Sequence, residues 1–119
     1  MSRALDDRAR ILEALELAGI RTATTGQLSA PAVLVEPGDP WSEPRRLPGR
    51  ATRWQLTALA GRADSAGAFE LLGELVDTID GALRTVPGCE LPVWAKPTDY
   101  TVTGVPYAGA VATIAIQTI

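Results

Sequence analysis

The stretch RWQLTALAGRADSAGAFELLGELVDTIDGALRTV, Arg53 to Val86, holds two hydrophobic periods in succession, and the switch between them decides the fold. Over residues 50–60 the side chains alternate: Trp54, Leu56, Ala58 and Ala60 share one face, Arg53, Gln55 and Thr57 the other. Successive side chains of a strand point to opposite faces, so this pattern predicts a half-buried strand. Past Gly61-Arg62-Ala63-Asp64 the period lengthens. Phe69, Leu72, Val76, Ile79, Leu83 and Val86 recur at steps of three and four; Leu71 and Leu75 widen the stripe, and Glu70, Glu74, Asp77 and Asp80 lie largely off it. That spacing predicts an amphipathic helix over 65–86, with Asp64 as its N-cap and Pro87-Gly88 ending it. Gly67, Gly73 and Gly81 each weaken such a helix by up to about 1 kcal/mol. Close packing against a neighbouring backbone would account for them.

Working outward, residues 3–18 read as a first helix with Leu5, Ala9, Leu12 and Leu15 as its apolar stripe. Asp6 and Asp7 fall in its first turn, where the helix dipole favours acids, and read as solvated surface. Gly19 is placed as the C′ residue, with Ile20 folding back as its hydrophobic contact. Thr22 to Ser29 reads as a turn, and Ala32 to Glu36 as a short strand bounded by Pro31 and Pro37. Residues 37–49 then hold four prolines and two glycines. That density predicts a long loop over 37–50, excluding both helix and central strand. At the C-terminal end, 91–94 is a loop or short strand. Tyr100 to Val105 and Ala108 to Ile119 form a hairpin with Pro106 and Tyr107 at its bend. The order α-β-β-α-β-β in 119 residues predicts one α+β domain: a small antiparallel or mixed sheet of about four strands with two helices packed on one face.

The chemistry is defined first by what is missing. No histidine is present, and Cys89 is the sole cysteine. Ser/His/Asp and Cys/His arrangements, internal disulfides and Cys-rich metal sites are thereby excluded. The scattered glycines form neither a dinucleotide fingerprint nor a P-loop. Cys89 has no adjacent base and reads as an inert small side chain. The expectation is a non-enzyme with no catalytic residue, metal or cofactor. A net charge of −3 argues against non-specific binding to phosphate backbones. The N-terminus carries acids where a signal peptide needs an apolar run, and no apolar stretch is long enough to span a membrane. The expected compartment is cytosolic. What remains is a contact surface. Tryptophan and arginine are enriched at protein interfaces. Trp41, Arg45, Arg46, Leu47, Arg50 and Arg53, in and beside the proline-rich stretch, form the candidate patch. The alternative for Trp41 is that it folds back onto its own domain; Trp54 reads as core.

Four stretches carry a family resemblance: the N-terminal helix leading into Pro31–Pro37, the strand Arg53–Gly61, the helix Ala68–Asp77, and the closing Tyr100–Ala108 followed by a strand. Together they cover nearly the whole chain. It resembles the tail terminator proteins of long-tailed bacteriophages, the lambda-type minor tail protein group, particularly of phages infecting actinobacteria. The resemblance implies a virion protein at the head–tail junction, assembled in the host cytoplasm and without enzymatic activity. It would form a homo-oligomeric, six-fold ring that caps the tail tube, contacting the major tail tube protein and the head-completion (stopper) protein. DNA would pass through its lumen without specific binding. A head–tail connector or stopper protein, or a bacterial protein-binding adaptor, are the alternative readings.

Overall fold

A computed structural model of the chain describes residues 3–23, 29–44 and 49–118. Its elements are α1 (Arg3–Leu17), β1 (Thr22–Ala23), β2 (Ala32–Pro44), β3 (Arg50–Arg62), α2 (Ala68–Leu83), β4 (Val93–Trp94), β5 (Thr98–Val102) and β6 (Val105–Thr118). The class is α+β. The sheet has six strands rather than about four, and it is mixed: β1 runs parallel to β2, and the remaining pairs are antiparallel. The additional strands are the two-residue β1 and β4, too short to show a period.

Strand β3 lies between β2 and β6. Its alternation is the expected one: Trp54, Leu56, Ala58 and Ala60 join a core with Ile11 and Leu15 of α1 and Leu72, Ile79 and Leu83 of α2. Register carries that face across the sheet, since Val35 and Ala112 pair with Leu56, and Val33 and Ala110 with Ala58. The opposite face sets Glu36 and Thr113 beside Gln55, and Leu34 and Val111 beside Thr57. One face is packed on helices; the other is mixed, with Glu36 and Thr113 exposed, Gln55 half-buried, and Leu34, Thr57 and Leu59 buried.

The far edge of β6 is lined by one interrupted segment. Cys89 bridges Ile116, Val93 and Trp94 pair with Thr113 and Ala112, and Thr98 to Val102 pair with Gly109 to Val105. Pro92 and Pro97 fall at the two interruptions, where a ring without an N–H cannot donate to the ladder. The hairpin bends at Thr103-Gly104, both with positive φ (50° and 83°), which is a two-residue turn matched to strand twist. Pro106 and Tyr107, expected at the bend, lie inside β6. The β3 ladder ends at Arg62–Tyr107, so the missing N–H of Pro106 falls beyond it.

Helix α1 closes as expected: Ile20 N–H reaches the Leu15 carbonyl at 2.9 Å and Gly19 N–H that of Glu16 at 3.0 Å, with Gly19 at φ 79°. Its buried stripe is rotated from the expected one. Ala4, Asp7, Ile11, Ala14 and Leu15 face inward, while Leu5 is 61 % exposed. Asp7 is the reason. Expected on the surface with Asp6, it is 1 % exposed, and an acid in the stripe conceals the stripe's position. Its Oδ2 accepts the Thr52 hydroxyl at 2.7 Å, and Thr52 Oγ1 accepts the Trp54 indole N–H at 3.0 Å. An indole nitrogen only donates, so the hydroxyl proton is directed to the carboxylate and the chain of bonds has one polarity. Asp7 Oδ1 is buried without a partner among the described residues.

Helix α2 is shorter than expected at both ends. It begins after Gly67 (φ 77°) with no side-chain cap, and Asp64 instead pairs with Arg62 at 3.5 Å. At Gly73 and Gly81 an added Cβ would meet nothing, so these glycines do not mark close packing within the chain. Gly88 is different: its φ is +75° and an added Cβ would stand 2.4 Å from the Gln117 carbonyl oxygen. Gly88→Ala is expected to cost about 2–4 kcal/mol through left-handed strain and that clash. Gly73→Ala is expected to gain up to about 1 kcal/mol from helix propensity. Urea unfolding of the two variants checks the contrast in sign. By the same measurement, Thr52→Val leaves both Asp7 and the Trp54 indole without their partner and is expected to cost about 2–4 kcal/mol.

Candidate assembly interface

The proline-rich stretch is strand as far as Pro44, a correction to the expected loop over 37–50. Prolines are tolerated because, among the described residues, β2 is paired on its outer edge only at Val33 and Leu34, by β1. The outer half of β2, from Gly38 to Pro44, is therefore an edge arm laid along β3, which is itself paired with β6 over the same length. Its register breaks once: Pro37 lies opposite Trp54, but Ser42 opposite Thr52, so Gly38 to Trp41 bulge out against Arg53. Gly38 is needed there, since an added Cβ would sit 2.9 Å from the Arg53 Cβ and 3.0 Å from its backbone carbon. A bulge bends its strand and re-aims a side chain. Here Trp41 turns onto Trp54, edge to face, with ring centroids 5.9 Å apart. Its own-domain contact is thus real, yet 42 % of the residue stays exposed.

The other candidate residues divide. Arg53 donates through Nε (3.0 Å) and Nη2 (2.6 Å) to Glu43 Oε1 across the hairpin, both side chains 28 % exposed. That pairing neutralises part of the expected basic patch and rigidifies the arm. Arg50 is exposed and donates to Ser42 Oγ at 3.1 and 3.3 Å. Arg45, Arg46 and Leu47 lie outside the described residues. The arm's described surface is therefore proline, indole, one charge-compensated pair and the exposed Arg50.

A second feature escaped the sequence reading. Between α2 and the segment Trp94–Pro97 runs an apolar groove of about 390 Å³, walled by Phe69, Leu72, Val76, Trp94 and Ala110 with Asp77 and Lys96 at its rim. Phe69, expected in the helix core, is 69 % exposed beside it. The groove-side orientation of Trp94 is held by its indole N–H, which donates to Asp80 Oδ1 at 3.0 Å. Its only sequence signal was Phe69 at the edge of the apolar stripe.

Among the described residues no group of three or more His, Cys, Asp or Glu side chains is placed to hold a metal ion, and no helix is long and apolar enough to cross a membrane. Compared with known proteins, the chain matches no protein-family model and no curated sequence.

Cys89 lies half-buried against β6, its thiol 3.4 Å from the Glu90 carbonyl oxygen. Burial first, and the Glu90 carboxylate second, push its pKa from 9.0 up to about 11. The thiolate fraction at neutral pH is therefore about a hundredfold below that of an unperturbed thiol. Iodoacetamide should modify the native chain slowly at pH 7–8, with the rate rising toward pH 11; urea-unfolded chain should react from about pH 9. Because the folded pKa is raised, the linked stability is full below about pH 9 and is lost as pH rises through about 11. Equal alkylation rates for native and unfolded chain would contradict the assignment.

Proposed function

We propose that this protein is a structural subunit of the tail-terminator type. In this reading it assembles head to tail into a ring that caps a phage tail tube and meets the head-completion proteins. The observation that carries the reading is the arm: a hairpin whose outer strand presents Pro37, Pro40, Pro44 and a half-exposed Trp41, held in shape by the Arg53–Glu43 pair. A monomer gains little from leaving an indole at the surface, whereas a contact patch gains much, since buried aromatic anchors dominate interface energetics. The long axis of 49 Å against 25 and 24 Å suits a subunit that reaches a neighbour. A ring contact is heterologous, so each subunit needs two different patches, and the arm supplies one. The paired state of Arg53 and the net charge of −3 agree with DNA passing without specific capture.

Trp41→Ala is expected to cost about 1 kcal/mol through the lost aromatic pair, leaving a folded chain by circular dichroism. In a phage carrying that change, head–tail joining is expected to fail while heads and tails accumulate separately. Normal particle yield, or a reconstruction of the wild-type particle with no ring of this chain at the head–tail junction, would contradict the reading.

A further inference from the structure

The β5–β6 hairpin projects past the rest of the sheet, and its outer strand carries an unused edge. We infer that β5 pairs antiparallel with β5 of a second copy of this chain, about a two-fold axis at Tyr100, joining two sheets edge to edge. The contact goes beyond the ring reading and does not rest on it. It is isologous, so it closes at two copies.

The direction of each backbone group follows from the turn. Thr103 and Gly104 both have positive φ and form a two-residue loop, which makes Val102 and Val105 a hydrogen-bonded pair. Pairs alternate from there: Tyr100–Tyr107 and Thr98–Gly109 exchange bonds, while Thr101–Pro106 and Asp99–Ala108 do not. Pro106 fits that parity, since its carbonyl accepts the Ala63 N–H on the β3 side at 2.9 Å. The N–H and C=O of Asp99 and Thr101 therefore point away from β6, and among the described residues β5 pairs with β6 alone. Both residues are exposed. An edge with two donors and two acceptors in step is a template for another strand. The β3 ladder ends at Arg62–Tyr107, so the distal hairpin is a two-stranded ribbon, and such a ribbon is marginal by itself.

The chain itself supplies a strand that fits this edge, and it fits in one register. Pro37, Pro40 and Pro44 interrupt the free part of β2, and Pro92 and Pro97 interrupt the segment before β5. Among the described residues, 98–102 is the longest strand edge free of both a partner and a proline. With the axis at Tyr100, Asp99 of each copy lies opposite Thr101 of the other, so every outward N–H meets an outward C=O. Moving the axis to Asp99 sets Thr101 against Pro97, which has no N–H to give. Moving it to Thr101 sets Asp99 against the turn residue Thr103. An axis between residues matches outward groups with inward ones. Side chains agree with the first register: the Thr101 hydroxyl stands beside the second copy's Asp99 carboxylate, donor to acceptor, and no two charges are directly opposed. Five residues a side fall well short of the roughly 800 Å² per partner of a stable complex. The pair therefore forms at high chain concentration and separates on dilution.

Hydrogen exchange followed residue by residue by NMR on the full-length chain reads the contact. The Thr98, Tyr100 and Val102 amides bond β6 and are expected to be protected at every concentration. The Asp99 and Thr101 amides are expected to exchange fast in dilute solution and to slow several-fold as the concentration rises. Thr101→Pro removes a donor that faces solvent in the single chain, so it is expected to leave the circular dichroism spectrum unchanged and to abolish the slowing at Asp99. Thiol trapping checks the register. In a Cys89→Ser background, an Asp99→Cys chain mixed with a Thr101→Cys chain under mild oxidation is expected to give the mixed disulfide dimer, since directly paired Cα atoms lie about 5.5 Å apart. Either variant alone is expected to stay largely monomeric, because its two thiols fall on the diagonal, about 7–8 Å apart and beyond easy bridging. Exchange at Asp99 and Thr101 that ignores concentration, slowing that survives Thr101→Pro, or absence of the mixed dimer would each overturn the inference. So would protection of these two amides by another protein and not by the chain's own concentration, which would assign the edge to a different strand.

Discussion

Strand β3 is hydrogen-bonded on both edges over nearly its whole length, to β2 on one side and β6 on the other. With a side-chain period of two, a slip of one residue on either side would turn Trp54, Leu56 and Ala58 to solvent. Everything else takes its place from that double register. The helices lie on the face that holds Trp54 and Leu56; β6 positions the interrupted edge segment 89–102; and the free half of β2 becomes the arm. The Leu59–Gly61 irregularity is the single break in the β3–β6 ladder, and it falls near the end of the pairing.

The buried chain Trp54–Thr52–Asp7 ties the first helix to this strand at the arm's base. A carboxyl group in the interior is costly unless its lone pairs are satisfied, and here one oxygen is bonded and the other has no partner among the described residues. The bond locks the indole ring, and that ring is the surface on which Trp41 rests. Helix, central strand and arm are thus joined through one polar contact. The geometry of the exposed ridge depends on a residue at the other end of the sequence.

Arm and groove divide the surface chemistry in a consistent way. The indole of Trp41 and the aromatic-walled cleft both lie on the helix side of the sheet, at the β2 edge and beyond β6, while Glu36, Gln55 and Thr113 lie on the other face. Edges rich in proline discourage random strand pairing.

Much of the fold was legible from local pattern. The alternation at Trp54–Ala60 gave the central strand and its faces, the three-four spacing gave α2, and Gly19-Ile20 gave the end of α1, because each depends on neighbours within one or two turns of chain. Tertiary structure alone decided the rest. Four prolines in thirteen residues read as loop, but at Pro37, Pro40 and Pro44 an outer edge with no partner among the described residues leaves the missing N–H groups harmless, and only the sheet order shows that β2 is such an edge there. Asp7 read as surface because an acid is usually solvated, and its partner Thr52 is forty-five residues away. Phe69 read as core because it fits the helical stripe, whereas in the first turn of α2 it lines an open groove and stays 69 % exposed. Sequence chemistry picked out all six candidate contact residues alike; the half-buried, half-exposed state of Trp41 is set by a bulge whose register only the β2–β3 pairing reveals.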